Sequence, residues 1–153
     1  MKTILAPVDF SPVTGRVGDT AVALARSLRG RVVLLHIVPP PVITSEYGVM
    51  LEDIGALTKA AESASARLLA RLRKKLAGPG VPVATVQLSG APVPLILDQA
   101  ARLKAAYVVI GSHGHNAFYD LLVGSTTHSV LLKAPCPVVV IHGPRKQPLR
   151  KRK

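Results

Sequence analysis

The sequence predicts a single α/β domain in which a parallel β-sheet is covered by helices on both faces. Short apolar runs rich in Val, Ile and Leu alternate along the chain with longer segments of helical periodicity. The short runs are continuously apolar, which is typical of strands buried on both faces. A chain of 153 residues has the usual size of one domain. Hydrophobic residues make up 48% of it and aromatic residues 3%, so aliphatic side chains must fill the core.

The first half of the chain predicts two strands and two helices. The first strand is expected over residues 3–8, and Ser11 is placed to cap the helix that follows. Gly30 ends that helix, and a second strand follows over residues 31–38. A proline-rich loop then leads to a long helix. Its inward face is predicted to carry the apolar residues at helical spacing, which are Ile54, Leu57, Ala61, Ala64, Leu68, Leu72 and Leu76.

The second half repeats the alternation of strand and helix. Residues 81–88 predict a third strand, and a third helix follows it. Residues 106–110 predict a fourth strand, residues 125–133 a short helix and residues 137–141 the last strand. The resulting order βαβαβαβαβ, with a helix between successive strands, indicates a doubly wound parallel sheet with right-handed crossovers.

The segment between the fourth strand and the short helix carries the strongest chemical signal. Gly111 and Gly114 follow the strand, and Gly124, Ser125 and Thr126 open the helix. Glycine lets the backbone approach a ligand closely, and the first amides of a helix together with its dipole favour an anion. The two hydroxyl groups can add further donors. The segment therefore predicts a phosphate site, although neither G-x-x-x-x-G-K-[ST] nor G-x-G-x-x-G occurs in the chain.

The spacing of this segment, G-x2-G-x9-G-[ST], resembles that of the nucleotide-binding branch of the universal stress protein family. Three further blocks resemble the same family in the same order, namely ILAPVDFS from Ile4, VLLHIV from Val33 and APCPVVVI from Ala134. The resemblance covers residues 2–142. It implies a Rossmann-like, five-stranded sheet with strand order 3-2-1-4-5. It also implies an ATP-binding protein of the stress response.

The resemblance assigns roles to individual residues. Asp9 would lie near the ribose and the phosphates, the backbone of Ile37 would meet the adenine edge, and Ile110 would pack nearby. The complete set of implied nucleotide-binding residues is Pro7, Val8, Asp9, Ile37, Ile110, Gly111, Ser112, His113, Gly114, Gly124, Ser125 and Thr126. The bound nucleotide would be ATP, with or without Mg²⁺. The alternatives are that Asp9 only caps the first helix and that Gly124 and Ser125 form an ordinary helix start.

The five histidines predict neither a metal site nor a catalytic site. No pair has His-x-x-x-His spacing on a helix, and no cysteine ligand set accompanies them. His113 and His115 lie two residues apart in a loop, where contact with phosphate or solvent is the simpler interpretation. No Ser-His-Asp or paired-carboxylate arrangement can be assembled from the spacing. We therefore predict no catalytic residue, and slow ATP hydrolysis is the most turnover expected.

The positive charge is concentrated at the carboxyl terminus. The net charge is +12, and residues 144–153 contain basic side chains and no acidic one. This composition predicts a domain over residues 1–143 followed by a disordered basic tail over residues 144–153. Such a tail could attract a polyanion or an acidic partner, with a functionally silent tail as the alternative.

The remaining features predict a cytoplasmic homodimer. No apolar run has the length needed to cross a bilayer, and the amino terminus does not resemble a signal peptide. The single cysteine, Cys136, excludes an internal disulfide and is interpreted as an inert thiol. The last strand, Pro137 to Ile141, is apolar and is placed at the sheet edge by the resemblance. It is expected to pair with its copy across a two-fold axis.

Three classes of function stay open at this point. The first is an ATP-binding regulatory protein in which nucleotide occupancy changes the shape of the dimer or its choice of partner. The second is an enzyme that hydrolyses a nucleotide slowly. The third is a basic adaptor that binds nucleic acid or an acidic partner.

Overall fold

A computed structural model describes residues 1–40, 51–112 and 123–143, without the side chains of residues 51–53. Within these ranges, strands and helices alternate along the chain. The strands are β1 (Thr3–Pro7), β2 (Arg31–Val38), β3 (Val83–Ser89), β4 (Tyr107–Gly111) and β5 (Val138–Ile141). The helices are α1 (Thr14–Ser27), α2 (Leu51–Leu76), α3 (Pro92–Arg102) and α4 (Ser125–Lys133).

The five strands form one parallel sheet in the order β3-β2-β1-β4-β5. This confirms the predicted doubly wound sheet and its strand order. β1 lies at the centre, where Thr3 is opposite Arg31 of β2 and Ile4 is opposite Tyr107 of β4. The chain thus winds outward in one direction through β2 and β3, and in the other through β4 and β5. The reversal point lies beside β1.

Two apolar layers hold the helices against the two faces of the sheet. Ile4 packs in a layer with buried residues of α1 and α2, whereas its neighbour Leu5 packs in a layer with buried residues of α3 and α4. Successive side chains of a strand point to opposite faces, so each central strand contributes to both layers. Every residue of β1 is buried, which explains why its sequence is continuously apolar up to Pro7.

The inward face of α2 differs from the one that its apolar spacing predicts. Leu69 is buried, whereas Leu57 and Leu68 are 60% and 42% exposed. Ala61 and Ala64 are also exposed, so the prediction is wrong for these four residues. The inward face includes the half-buried polar residues Thr58, Glu62 and Ser65. The amide Nε2 of Gln87 on β3 donates to the carbonyl oxygen of Glu62 at 3.0 Å. Apolar periodicity does not include polar residues, and it therefore placed the face a fraction of a turn away.

Cys136 is a half-buried free thiol just before β5. Desolvation raises the pKa of this thiol, while a hydrogen bond with the backbone of Val108 acts in the opposite direction. The thiol rather than the thiolate is therefore favoured, and thiols are poor nucleophiles.

No helix in the described part of the chain is both long and apolar enough to cross a membrane.

Gly30 lies where the starts of β1 and β2 approach each other closely. The amide of Arg31 donates to the carbonyl oxygen of Lys2 at 2.8 Å, and a Cβ atom at Gly30 would collide with that same carbonyl. We expect Gly30→Ala to lower the free energy of unfolding by about 1–3 kcal/mol, because the backbone must shift to admit the methyl group. Urea denaturation measures this change.

Gly78→Ala is the matched control for that experiment. A Cβ atom at Gly78 would have no heavy atom within 4 Å. Its effect should therefore stay within about 0.5 kcal/mol of zero. Equal stability of the two variants would contradict the close approach of β1 and β2 at Gly30.

Candidate functional site

A cavity of about 520 Å³ opens at the carboxyl ends of β1, β2 and β4. Open α/β sheets bind ligands at this place, where the strand order reverses. The volume falls within the range of roughly 300–1,000 Å³ that is usual for small-molecule sites. The residues that line the cavity are Pro7, Val8, Asp9, Val13, Thr14, Val17, Leu35, His36, Ile37, Pro39, Pro92, Ile96, Ile110, Gly111, Thr126 and Thr127.

The loop after β1 is fastened to the end of β2 by its backbone. The amide of Val8 donates to the carbonyl oxygen of Leu35 at 2.8 Å, which extends the parallel ladder by one residue. The carbonyl oxygen of Val8 lies 2.8 Å from Nδ1 of the buried His36. Because a carbonyl can only accept, Nδ1 must carry the proton that it donates to this oxygen. His36 therefore fixes the floor of the cavity beneath the loop.

The same loop contains a strained residue. Phe10 has a φ of 61°, in the left-handed region that bulky side chains rarely adopt. Its ring lies 4.5 Å from the ring of His36, measured between centroids. The packing of these two rings holds the strained backbone in place. Strained residues of this kind collect at ligand sites, where the surrounding structure dictates their conformation.

Asp9 shapes the turn that leads into α1. Its Oδ1 accepts a hydrogen bond from the amide of Ser11 at 3.0 Å and a longer one from the hydroxyl of Thr14 at 3.5 Å. The N-cap residue of α1 is Val13, and no side chain caps the helix. The predicted capping role of Ser11 is therefore wrong. Asp9 nevertheless lines the cavity, where it is the one acidic side chain among the described residues.

One hydrogen bond ties the end of β4 to β5, and two more bring the start of α4 back to the end of β4. The amide of Ser112 donates to the carbonyl oxygen of Ile141 at 2.8 Å, and the amide of Gly124 donates to the carbonyl oxygen of Ser112 at 2.8 Å. The hydroxyl of Thr127 donates to the carbonyl oxygen of Gly111 at 2.7 Å. The first turn of α4 is thereby held at the mouth of the cavity.

The amino terminus of α4 has no cap from its own sequence. Its N-cap residue is Gly124, which has no side chain to bond to the first amides, and no acidic residue lies in its first turn. The first amides of a helix have no acceptor within the helix, so those of residues 125–127 are donors for another group. Thr126 and Thr127 border the cavity directly. This end of the cavity is built for an anion.

The other two helices that begin at the cavity offer fewer donors. Pro92 and Pro94 occupy the first turn of α3, and proline has no amide hydrogen. At the start of α1, the amide of Thr14 already donates to the carbonyl oxygen of Ser11 at 3.0 Å. Most of the remaining lining is apolar. The cavity therefore combines one end that is rich in hydrogen-bond donors with an apolar cleft.

The predicted site residues fall into three groups. Seven line the cavity, namely Pro7, Val8, Asp9, Ile37, Ile110, Gly111 and Thr126. Ser112, Gly124 and Ser125 do not line it but form or adjoin the backbone connection between β4 and α4. His113 and Gly114 lie outside the described residues.

Sequence reasoning missed the walls that α1 and α3 contribute. These include Val17 and Ile96, which look like ordinary core positions because each is apolar at helical spacing. It also missed Thr127, although a run of hydroxyl residues at a helix start is a signal that could have included it. Among the described residues, no group of three or more His, Cys, Asp or Glu side chains could hold a metal ion.

A sequence profile of the universal stress protein family matches residues 1–142. The chain belongs to the universal stress protein family. It is 25% identical over 143 residues to universal stress protein YxiE of Bacillus subtilis, which covers 90% of this chain and 97% of that relative.

Two solved structures of universal stress proteins extend this similarity to the fold. UspA of Lactobacillus plantarum has a TM-score of 0.79 and 27% identity, with 92% of this chain and 97% of that one covered. The protein of Archaeoglobus fulgidus in complex with dAMP has a TM-score of 0.61 and 25% identity, covering 92% of this chain and 98% of that one.

Proposed function

We propose that this universal stress protein is a cytoplasmic, ATP-binding regulatory protein whose nucleotide occupancy changes the shape of a homodimer or its choice of partner. The observation that carries the proposal is the pairing of an uncapped helix start with an apolar cleft in one cavity. The dAMP complex of the Archaeoglobus fulgidus protein supports the choice of an adenine nucleotide.

The phosphate end of the proposed site is the first turn of α4. Its free amides and the hydroxyl of Thr126 would donate to phosphate oxygens, and Gly111 would let the backbone of β4 come close to them. Gly124 is the N-cap residue of this helix, so the phosphates would pass next to its Cα atom.

The base end of the proposed site is the end of β2 that extends beyond β1. β1 ends at Pro7, opposite Leu35, whereas β2 continues to Val38. On the other side, the carbonyl oxygen of Val38 accepts from the amide of Gly90 at 3.0 Å. Because backbone groups alternate sides along a strand, those of Ile37 face the side that β1 has left. They would meet the donor and acceptor edge of adenine.

Asp9 is the residue that would serve the ribose or a magnesium ion. Mg²⁺ in nucleotide sites is usually held by one or two carboxylates together with the phosphates. One carboxylate at the mouth of this cavity fits that role. A bound Mg²⁺ would neutralise phosphate charge, while Asp9 would orient it.

The edge strand β5 is the surface proposed for dimerisation. No described strand pairs with its outer side. The carbonyl oxygens of Pro137 and Ile141 face β4, where they accept from Val108 and Ser112. The alternate residues, such as Val140, therefore direct their backbone groups toward the outer edge. A second copy would satisfy these groups across a two-fold axis.

The identity of the ligand is tested by mass spectrometry of small molecules released from the purified protein. We expect ATP or another adenine nucleotide.

The path of the phosphates is tested by Gly124→Val. We expect this substitution to weaken ATP binding at least about tenfold, which corresponds to roughly 1.4 kcal/mol. The valine side chain would occupy the path of the phosphates. Calorimetric titration measures the affinity.

Unfolding of the variant would not explain that loss. Gly124 has φ −59° and ψ 154°, an extended conformation that valine adopts readily. Gly78→Val, at a position with open space around it, is the matched control and should bind ATP as the parent protein does. Unchanged ATP affinity in Gly124→Val would refute the phosphate path.

Asp9→Asn separates the proposed ligand role of Asp9 from its structural role. Asparagine keeps an oxygen for the amide of Ser11 and removes the charge. We expect the melting temperature to stay nearly constant while the preference for Mg·ATP over free ATP decreases. Calorimetry with and without Mg²⁺ measures that preference. Lost stability with an unchanged preference would show that Asp9 only supports the turn.

Val140→Pro tests the dimer edge. Proline removes an outward-facing amide and is tolerated where the amide does not serve the sheet. We expect light scattering to report a monomer, with ATP affinity retained. Val139→Pro is the matched comparison, because Val139 faces β4 and its substitution should lower stability instead. A dimer that persists in Val140→Pro would place the interface elsewhere.

A further inference from the structure

Most lysines and arginines of the described chain lie at the edge of the sheet opposite the cavity. In a parallel α/β sheet, the carboxyl ends of the helices and the amino ends of the strands meet at this edge. All four helices carry a basic residue in the last turn. With the neighbouring segments they form what we call the amino-edge cluster, ten of the chain's 20 basic residues: Lys2, Arg26, Arg29, Arg31, Arg73, Lys74, Lys75, Arg102, Lys104 and Lys133.

The charge of the amino-edge cluster is almost uncompensated. No acidic residue occurs in the last turn of any helix or in the segments that lead from the helices to the next strands. Arg102 forms the cluster's one ion pair among the described residues, with Asp98 at 3.8 Å. All members of the cluster are exposed except Arg31, which is half-buried and donates from Nε to the hydroxyl of Thr3 at 3.1 Å.

The amino-edge cluster forms a continuous surface because the strand starts are bonded side by side. The amide of Val32 donates to the carbonyl oxygen of Pro82 at 2.9 Å, and that of Ala106 donates to the carbonyl oxygen of Thr3 at 2.8 Å. Five strands about 4.8 Å apart span roughly 20 Å. The helix ends and strand starts that carry the cations therefore share this one edge of the sheet.

Helix stability explains only part of this arrangement. Basic residues in a last turn interact favourably with the helix dipole, which accounts for residues such as Arg26 and Lys133. It does not account for Arg29 and Lys104, which lie beyond the helices with φ of 51° and 46°. Glycine is the favoured residue in that conformation. Two long cationic side chains thus stand where backbone stability alone would select glycine.

We propose that the amino-edge cluster binds the phosphodiester backbone of double-stranded nucleic acid. The described edge offers no exposed aromatic side chain on which a base could stack, because Tyr107 is half-buried against the core. The contact would therefore be to phosphates and independent of sequence. The same lack of aromatic anchors makes a membrane surface the poorer fit. This inference does not depend on ATP binding at the other edge.

The test measures the affinity of the full-length protein for labelled duplexes of about 20 base pairs, one of DNA and one of RNA, by fluorescence anisotropy at about 50–200 mM salt. We expect affinity to fall steeply with salt. In the double variant Arg29→Gly with Lys104→Gly, the slope of log K against log[salt] should become shallower by about 2, and binding should weaken at least tenfold at the lowest salt. The two arms show whether DNA or RNA geometry is preferred.

The glycine substitutions make the result independent of folding. They relieve two positive φ angles, so the melting temperature should stay the same or rise. The matched control is Lys59→Gln with Arg67→Gln, which removes the same charge from exposed positions of α2 outside the cluster. This control should bind the duplexes nearly as well as the parent protein.

Four results would overturn the proposal. The first is the absence of salt-dependent duplex binding. The second is an equal loss of affinity in the two double variants, which would reduce the effect to net charge. The third is a loss of duplex affinity in Arg145→Gln with Lys146→Gln but not in the glycine variant, which would show that residues 144–153 bind the duplex instead. The fourth is binding to phosphatidylserine vesicles that depends on the cluster, without binding to duplexes.

Discussion

The common direction of the five strands is the constraint on which the rest of this molecule depends. Because every connection from one strand to the next passes through a helix, all helices begin at one edge of the sheet and end at the other. The amide donors and positive dipole ends thus collect at the carboxyl edge, next to the cavity. The negative dipole ends collect at the amino edge, where they stabilise a dense group of cations.

Within that frame, a few hydrogen bonds convert a general property of the fold into a specific site. Three helices begin at the cavity, but prolines remove donors from α3 and a turn occupies the first amide of α1. Of these three helix starts, α4 is the one best suited to an anion, and the hydroxyl of Thr127 fixes its first turn to Gly111. Removing that hydroxyl would take this donor from the half-buried Gly111 and loosen the first turn of α4, where the phosphates are proposed to bind.

The sequence allowed the sheet and part of the cavity to be predicted, for a physical reason. Strand ends are local features, marked by residues such as Asp9 and Gly111, and parallel topology places all of them at one edge. The face of α2 could not be predicted in the same way, because it includes Glu62, whose carbonyl oxygen accepts a hydrogen bond from Gln87, 25 positions away along the chain. Val17 and Ile96 were missed as cavity walls, since core and cavity positions share the same apolar pattern.

The distance between the two edges determines how the proposed sites would influence each other. β2 contains 8 residues and so separates the edges by roughly 25 Å. The Debye length at physiological ionic strength is about 8 Å, so charge at one edge is largely screened from the other. A duplex at the amino edge and a nucleotide in the cavity would therefore bind without direct electrostatic competition.

Any coupling between the two sites would have to pass through the packed sheet. Its most direct route is the central strand β1, which is buried along its whole length. This strand connects Lys2 at the amino edge with the loop of Asp9 at the cavity. A shift of that strand would require the glycine contact at Gly30 to open, because the carbonyl of Lys2 and the amide of Arg31 are joined there. Rigid packing at this point favours two sites that act independently.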